Sequence, residues 1–237
     1  MVIKISVVIP TYNEEGNIEP LLKQVHEVLT ADAISHELIV VDDGSRDQTR
    51  SRVKNLKSQI PEIVLIERDN ERGLASAMVC GYNAARGQYL GAMDADLAHN
   101  PIYLVPMIQI LDAGAADLII GSRYLPDSRF EGKPLANKLA SVIGQFLIKI
   151  ILGVKAKDTS NNYRVFRREI WGKINKRLHP NGNIMLTEII YLTQRQGFRI
   201  SEIPIIYKER RAGKSKLNLL EETWRFGKNI LKIKFDR

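Results

Sequence analysis

The chain of 237 residues is poor in the residues that build disulfides, metal clusters and membrane spans. Its single cysteine, Cys80, excludes an internal disulfide and any zinc site built on cysteines. His26, His36 and His179 show no spacing typical of a metal site. No apolar run reaches the ~18 residues that a membrane-spanning helix needs, and residues 3–10 are typical of a strand rather than a signal peptide. We therefore expect a chain without a membrane span or an export signal, located in the cytoplasm.

Charge is distributed unevenly along a chain of otherwise ordinary composition. Hydrophobic residues make up 44% and charged residues 26%, which is typical of a soluble globular domain. Residues 1–120 carry 10 basic and 17 acidic side chains, a net charge of −7, whereas residues 121–237 carry 25 and 10, a net charge of +15. The second half is therefore expected to meet an anionic partner such as a membrane surface or a phosphorylated substrate. Nucleic acid is not an expected partner, because no zinc-finger spacing or RNA-recognition motif is present.

Apolar runs alternate with helical patterns through the first half of the chain. Predicted strands cover residues 2–9, 37–41, 63–66, 89–93 and 117–120. Predicted helices follow the first three strands, with apolar faces or small residues at helical spacing. This alternation predicts an α/β fold, with a Rossmann-like, mostly parallel sheet over residues 1–125 and right-handed crossovers. We expect one domain over residues 1–237, whose second half, 126–237, is a helical C-terminal extension.

Two stretches of the second half carry apolar residues at helical spacing. Residues 142–152 predict a helix that either packs into the core or lies at a membrane face or lipid groove. Residues 218–237 mix apolar side chains with arginine and lysine, a pattern that fits binding at a membrane interface. A solvated helix with one buried stripe would have the same pattern. Residues 126–134 predict a polar, charged loop.

Three polar loops follow the strands that we expect near the middle of the sheet. They are residues 10–15, 42–45 and 94–96. Ligands of open α/β sheets collect beyond the carboxyl ends of the strands. There Asp43 could read a base edge and Tyr12 could pack on the base. The carboxylates of Asp94 and Asp96 suit a divalent cation that grips a diphosphate. The alternative for the acidic pair is a solvated turn in which an aspartate caps a helix that begins near residue 101.

Several segments of the chain resemble a known enzyme family. Residues 7–15, 40–45 and 94–97 are similar to the signature of family 2 glycosyltransferases with the GT-A fold, and residues 70–77 resemble the Gly-rich start of their third helix. Further segments resemble the dolichol-phosphate mannose synthase branch: residues 121–124, 158–160, 163–168 and 210–217. The resemblance spans nearly the whole chain. It implies that residues 1–125 bind the nucleotide-sugar and that residues 126–237 lie on the acceptor side.

The resemblance implies a role for each matching residue. The nucleoside pocket would be lined by Pro10, Tyr12, Glu14 and Asp43. The carboxylates of Asp94 and Asp96 would hold Mg²⁺ or Mn²⁺ against the sugar-nucleotide diphosphate. The acceptor phosphate or the departing diphosphate would be held by Arg123, Arg210, Ser215 and Lys216, in part through guanidinium forks that match phosphate oxygens.

Two positions depart from the pattern of this branch. The acidic pair is usually followed by Leu-Gln, whose glutamine joins the metal shell, but here the position is Ala98. His99 could substitute, although its setting is more typical of a solvated loop histidine. The branch also tends to have an arginine four residues before a serine of the acceptor helix, where this chain has Asn137 before Ser141. Both departures affect the expected identity of the donor and the acceptor more than they affect the expected fold.

The resemblance implies an inverting transfer of a hexose, of mannose or glucose type, from a GDP- or UDP-sugar to a polyprenyl (dolichyl) phosphate. The expected location is peripheral, at the inner face of the cell membrane, with room for a separate membrane anchor subunit. One alternative is transfer to a soluble or cell-envelope glycan, for which Glu188 would be the candidate base, unless it is a helix-surface carboxylate. Another is a catalytically weakened nucleotide-sugar-binding protein. A nucleotidyltransferase is disfavoured, because residues 10–13 lack a Gly-rich loop.

Overall fold

The computed structural model describes residues 2–69, 72–131, 145–146, 148–179, 182, 184–208, 230 and 233–235. A large mixed sheet with helices on both faces forms its centre. The strands are β1 (Ile5–Thr11), β2 (His36–Asp42), β3 (Ile63–Glu67), β4 (Tyr89–Ala92), β5 (Leu118–Ser122), β6 (Arg129–Glu131), β7 (Arg164–Arg167), β8 (Ile200–Pro204) and β9 (Ile206–Lys208). The helices are α1 (Ile18–Ala31), α2 (Thr49–Lys57), α3 (Leu74–Ala84), α4 (Leu104–Asp112), α5 (Arg168–Ile174) and α6 (Ile184–Arg195), with 3₁₀ turns at Pro101–Tyr103 and Asn175–Arg177.

Successive residues of the central strands pack into two cores, one on each face of the sheet. In β1, Val7 belongs to one core and Val8 to the other, and in β2 the same holds for Val40 and Val41. This follows from the two-residue period of a strand, which points neighbouring side chains to opposite faces. A strand covered on both faces is apolar throughout, which explains why β1 and β2 were recognisable as near-continuous β-branched runs.

The large sheet has the strand order β3-β2-β1-β4-β7-β5-β8. The pairs β1–β2, β2–β3, β1–β4 and β5–β8 are parallel, whereas β7 lies antiparallel between β4 and β5. The predicted α/β class with a mostly parallel sheet is confirmed. The sequence did not predict β7 or β8, so the sheet gains two strands from beyond residue 125.

The antiparallel strand β7 determines what lies beside the end of β4. Ala92 of β4 pairs with Arg164 of β7. Because the two strands run in opposite directions, the residues just before Arg164 lie next to those just after Ala92. The loop over residues 158–162 is therefore brought to the acidic pair of Asp94 and Asp96.

The predicted loop over residues 126–134 was partly wrong, because it contains β6, which pairs in parallel with β9 in a small second sheet. In the stretch predicted as a helix over residues 142–152, the described residues 145–146 and 148–152 are helical. Of the predicted helix over 218–237, residues 230 and 233–235 are described and are helical. Ile230 and Ile233 are buried in a core, whereas Phe235 is exposed. Within the described ranges no helix is both long enough and apolar enough to cross a bilayer.

Candidate active site

The loops after β1 and β2 are bonded to each other at the carboxyl ends of their strands. The backbone N–H of Asn13 donates to the hydroxyl of Ser45 (2.9 Å), and the backbone N–H of Arg46 donates to Asn13 Oδ1 (2.9 Å). Asn13 has a φ of 56°, a left-handed conformation that asparagine tolerates better than most residues. These bonds fix the relative position of the two loops that the sequence assigns to the nucleoside.

The predicted nucleoside residues lie on these loops. Pro10 is the second-last residue of β1 and is half-buried. Tyr12 follows the strand and is 45% exposed, with the Arg72 guanidinium 5.5 Å from its ring centroid. Glu14 accepts a hydrogen bond from the side chain of Asn17 (2.8 Å) at the start of α1. An exposed aromatic ring beside a fixed loop is a suitable surface for a nucleobase to pack on.

Asp43 is held firmly by two neighbours. Its Oδ1 accepts hydrogen bonds from Nε (2.8 Å) and Nη2 (2.5 Å) of Arg68, and its Oδ2 accepts from the backbone N–H of Gly73 (2.8 Å). The preceding Asp42 is fully buried and bonded to Ser45 and Arg50. Burial raises the pKa of Asp42, but these hydrogen bonds outweigh burial and leave the pKa below its ordinary value. Both acidic side chains of this loop are therefore fixed in place.

The acidic pair follows β4 in a tight turn. Asp94 Oδ1 accepts a hydrogen bond from Asn162 Nδ2 (3.0 Å), and Asp96 Oδ1 accepts from the backbone N–H of Ala98 (3.0 Å). Leu97 has a φ of 61°, which bends the chain sharply after the pair. The alternative of a solvated turn with an aspartate cap was wrong. Asp96 is 7% exposed, and the 3₁₀ turn is capped by Asn100, which accepts from the N–H of Ile102.

The loop over residues 158–162 was not predicted as part of the site. Its residues Asp158, Thr159, Asn161 and Asn162 are almost fully buried although all are polar. Buried polar side chains need partners, and this loop finds them around Asp94 and Arg123. Five consecutive polar residues just before the buried Tyr163 are the signal in the sequence that could have indicated a built site.

Arg123 lies at the end of β5 and forms an ion pair with Asp158. Its Nε and Nη2 donate to the two carboxylate oxygens (2.8 and 2.9 Å), and Nη2 also donates to Ser160 Oγ (2.9 Å). Its guanidinium lies 5.5 Å from the ring centroid of Tyr207. Burial lowers the pKa of Arg123, but the pair with Asp158 outweighs burial and raises it above the ordinary value. Arg123 is therefore a permanent cation held a short way from the acidic pair.

His99 is not the solvated loop histidine that its setting in the sequence suggested. It is 1% exposed, stacked on Tyr163 with ring centroids 4.9 Å apart and edge-on to Tyr207. Its Nδ1 accepts a long hydrogen bond from the backbone N–H of Asp94 (3.4 Å). Burial lowers the pKa of His99, against the attraction of Asp94 and Asp96. His99 thus supports the turn that carries the acidic pair.

Glu188 is not a helix-surface carboxylate. It lies in α6, is 2% exposed, and accepts hydrogen bonds from the backbone N–H (2.9 Å) and from Nδ1 (2.8 Å) of His179. Both of its oxygens are engaged by one residue, so its carboxylate has a structural role in this conformation. The remaining predicted site residues, Ser141, Arg210, Ser215 and Lys216, lie outside the described residues, as does Asn137.

The donor set around the acidic pair fits a hard divalent cation. Carboxylate and amide oxygens are the ligands that Mg²⁺ and Mn²⁺ prefer, and Asp94, Asp96 and Asn162 bring such oxygens to one turn. In the part of the chain that the structure describes, no three His, Cys, Asp or Glu side chains come together as a metal site. Ligands beyond the two carboxylates would therefore be oxygens of another kind, such as those of an amide, the diphosphate or water.

The fold is similar to that of solved glycosyltransferases. Glucosyl-3-phosphoglycerate synthase from Mycobacterium tuberculosis, in complex with Mn²⁺ and UDP-glucose, matches with a TM-score of 0.71 and 19% identity over 98% of this chain and 78% of that chain. Its complex with Mg²⁺ and UDP matches with a TM-score of 0.67 and 18% identity, over 97% and 77%. The architecture is the GT-A fold.

Sequence comparison then identifies the family. Residues 6–174 match the profile of Glycosyl transferase family 2, and the chain belongs to this family. It is 34% identical over 218 residues to a dolichol-phosphate mannosyltransferase of Pyrococcus furiosus, covering 90% of this chain and 59% of that protein. It is 33% identical over 217 residues to a polyprenol monophosphomannose synthase of Mycolicibacterium smegmatis, covering 90% and 80%.

Proposed function

We propose that the protein is an inverting glycosyltransferase that moves a hexose, of mannose or glucose type, from a GDP- or UDP-sugar to a polyprenyl phosphate. One observation carries this proposal: several loops meet at one edge of the sheet. They are the loops that bear Tyr12 and Asp43, the turn with the acidic pair, and the loop over residues 158–162 that holds Arg123. The activities for which the relatives from Pyrococcus furiosus and Mycolicibacterium smegmatis are named support mannose as the sugar and a lipid phosphate as the acceptor.

The donor side is built from rigid parts. The exposed ring of Tyr12 would pack on the base, and Asp43, fixed by Arg68 and Gly73, would help to define the nucleoside pocket. Asp94 and Asp96 would hold Mg²⁺ or Mn²⁺, which when bound stabilises negative charge on the leaving diphosphate. The metal-bound complexes of the structural neighbour support this use of a divalent cation.

On the acceptor side, an oxygen of the lipid phosphate would attack the anomeric carbon from the face opposite the diphosphate. The new C–O bond forms as the bond to the diphosphate breaks, which inverts the configuration. The nucleophile is already an anion, so no strong general base is needed, in keeping with the engaged carboxylate of Glu188. Arg123 would hold phosphate oxygens, together with the predicted Arg210, so that positioning and electrostatics supply most of the rate.

The reaction would take place at the inner face of the cell membrane, where a lipid phosphate presents its head group to the cytoplasm. Phe146 and Ile150 are 61% and 63% exposed and lie four residues apart on helical backbone, so they form an apolar patch. Exposed apolar side chains of this kind are typical of peripheral membrane contacts. A separate membrane subunit would strengthen the attachment to the membrane, but this direct contact does not depend on one.

The decisive experiment measures transfer of radiolabel from GDP-mannose and from UDP-glucose into an organic-extractable product. The assay contains polyprenyl phosphate and liposomes, with Mn²⁺ or with a chelator. Metal-dependent label in the lipid phase from one donor supports the proposal and identifies that donor. If the metal-dependent label appears in a soluble glycan instead, the acceptor is a glycan and not a lipid phosphate. If the protein binds a nucleotide but transfers sugar to no acceptor, a catalytically weakened nucleotide-sugar-binding protein is favoured.

The acidic pair provides the matched variants for this assay. Asp96→Ala should lower metal-dependent donor binding and transfer by at least about 100-fold, the upper end of the loss seen when a metal site loses a supporting group. Asp32→Ala removes an exposed carboxylate at the end of α1 and should match the wild type. Unchanged Mn²⁺-dependent donor affinity in Asp96→Ala would contradict the metal assignment.

A further inference from the structure

The side chain of Asn162 has an unusual combination of burial and incomplete hydrogen bonding. It is 3% exposed, and its Nδ2 donates to Asp94 Oδ1 at 3.0 Å. Its Oδ1 is buried, and within the described part of the chain it accepts no hydrogen bond. Most buried polar atoms have a partner, and an exception calls for an explanation such as a bound ion.

Asn162 lies two residues before β7, where the register of the sheet sets its position. Ala92 pairs with Arg164 across the antiparallel strands β4 and β7. Continuing this register by two residues sets Asn162 opposite Asp94, where the hydrogen bond between them is found. A side chain supported in this way is well suited to hold a ligand atom in place, because the strands determine where it lies.

The turn after the acidic pair lacks one oxygen ligand that the resembling branch has there. Ala98 has a methyl group where the resembling branch has the glutamine of the metal shell. His99 is not a ready replacement, because its Nδ1 accepts the backbone N–H of Asp94, so the ring proton of a neutral imidazole lies on Nε2. The amide oxygen of Asn162 is of the type that Mg²⁺ and Mn²⁺ accept.

We propose that Asn162 Oδ1 is the third protein ligand of the divalent cation held by Asp94 and Asp96, in place of the side chain that Ala98 lacks. The amide nitrogen orients the group through its hydrogen bond to Asp94, and the amide oxygen contacts the cation. This inference rests on the metal dependence in the proposed function. It assigns to this chain a ligand from the loop just before β7 rather than from the turn after β4.

The experiment measures Mn²⁺ binding to the whole protein by the electron paramagnetic resonance of free Mn²⁺. It also measures the number of Mn²⁺-bound waters by water-proton relaxation. Asn162→Ala should weaken Mn²⁺ binding by at least about tenfold and add one bound water. Asn162→Asp keeps an oxygen at the position and should leave the number of bound waters unchanged. Asn55→Ala, an exposed position of α2, should match the wild type in both measurements.

The outcomes distinguish a failure of the Asn162 assignment from a failure of the proposed metal dependence. If the wild type binds Mn²⁺ and Asn162→Ala binds it with the same number of waters, Asn162 only positions Asp94 and the inference is overturned. An extra bound water in Asn162→Asp would overturn it as well, and this variant decides the matter if Asn162→Ala does not fold. If the wild type binds no Mn²⁺ in the presence of either UDP or GDP, the metal assignment itself fails, and the inference fails with it.

Discussion

Asp158 and Arg123 form a two-pronged ion pair, with Nε 2.8 Å from one carboxylate oxygen and Nη2 2.9 Å from the other. The carboxylate side chain is fully buried, and the arginine side chain is 13% exposed. Removing one partner of such a pair leaves a charge without compensation in a dry environment. Asp158→Asn should therefore lower the free energy of unfolding by about 3–5 kcal/mol, measured by urea denaturation. The control Glu169→Gln removes an exposed ion pair with Lys173 and should scarcely change the free energy of unfolding.

Gln145 connects the helical stretch that bears the exposed apolar patch to the residues that hold Arg123. Its Oε1 accepts from the N–H (3.0 Å) and hydroxyl (2.7 Å) of Thr159, and its Nε2 donates to Ser160 Oγ (3.0 Å), which also accepts from Arg123. Gln145→Leu should lower transfer to the lipid phosphate by up to about 100-fold, because small shifts in position are costly. Donor affinity, measured by calorimetry, should not change.

The control for Gln145 is Gln24→Leu, on the exposed side of α1, which should keep full activity. If Gln145→Leu weakens nucleotide binding as much as it weakens transfer, its effect is general destabilisation rather than misplacement of Arg123. Comparing the two measurements on one protein preparation distinguishes these outcomes.

The patch of Phe146 and Ile150 predicts direct contact with lipid. Replacing both by serine should weaken binding to anionic vesicles by about tenfold or more, since each buried CH₂ contributes roughly 0.8 kcal/mol. Co-sedimentation with vesicles measures this. Ile102→Ser is the matched control, because Ile102 is 57% exposed on the 3₁₀ turn before α4. Equal loss of vesicle binding in the control would contradict a specific membrane face.

The strands that could be predicted from the sequence are those whose signal is local. Of the first five strands, β1, β2, β4 and β5 are runs buried on both faces of the sheet, and β3 is a partly buried apolar run. The acidic pair could be placed because it follows β4 closely. Strand β7 has only four residues, Arg-Val-Phe-Arg, and this pattern resembles an exposed segment. Its place in the sheet depends on contacts with β4 and β5 that no local pattern carries.

Arg164 shows why the rest of the site was not predictable. Its side chain is fully buried and donates to the backbone carbonyls of Asn161 and Leu186. Burial lowers its pKa to about 10. An arginine is ordinarily exposed. The burial of Arg164 is possible because backbone carbonyls, among them that of Leu186 from a distant part of the chain, accept its hydrogen bonds. The register of the same strand places Asn162 beside Asp94, so the third ligand proposed for the metal lies next to a strand that the sequence did not reveal.

Glu37 predicts how stability depends on pH. It is almost fully buried in β2 and accepts hydrogen bonds from the hydroxyl of Ser6 (2.6 Å) and from the backbone and guanidinium of Arg86. Burial raises the pKa of Glu37, but these hydrogen bonds outweigh burial and leave the pKa below its ordinary value. A group with a lowered pKa stabilises the fold above its unfolded-state pKa of about 4.3, and this contribution is lost as the pH falls through the folded-state pKa.

Glu37→Gln should therefore be less stable than the wild type by about 1.5–3 kcal/mol at pH 7, the contribution typical of hydrogen bonds to a charged group. The difference should narrow as the pH falls below the unfolded-state pKa of about 4.3, because the unfolded carboxylate then takes up a proton that the folded carboxylate, with its lowered pKa, resists. Urea denaturation at pH 7 and at pH 3 measures both values. Glu27→Gln changes an exposed position of α1 and should follow the wild type at each pH. A Glu37→Gln difference that stays constant across this range would mean that packing, rather than the charge of Glu37, accounts for its contribution.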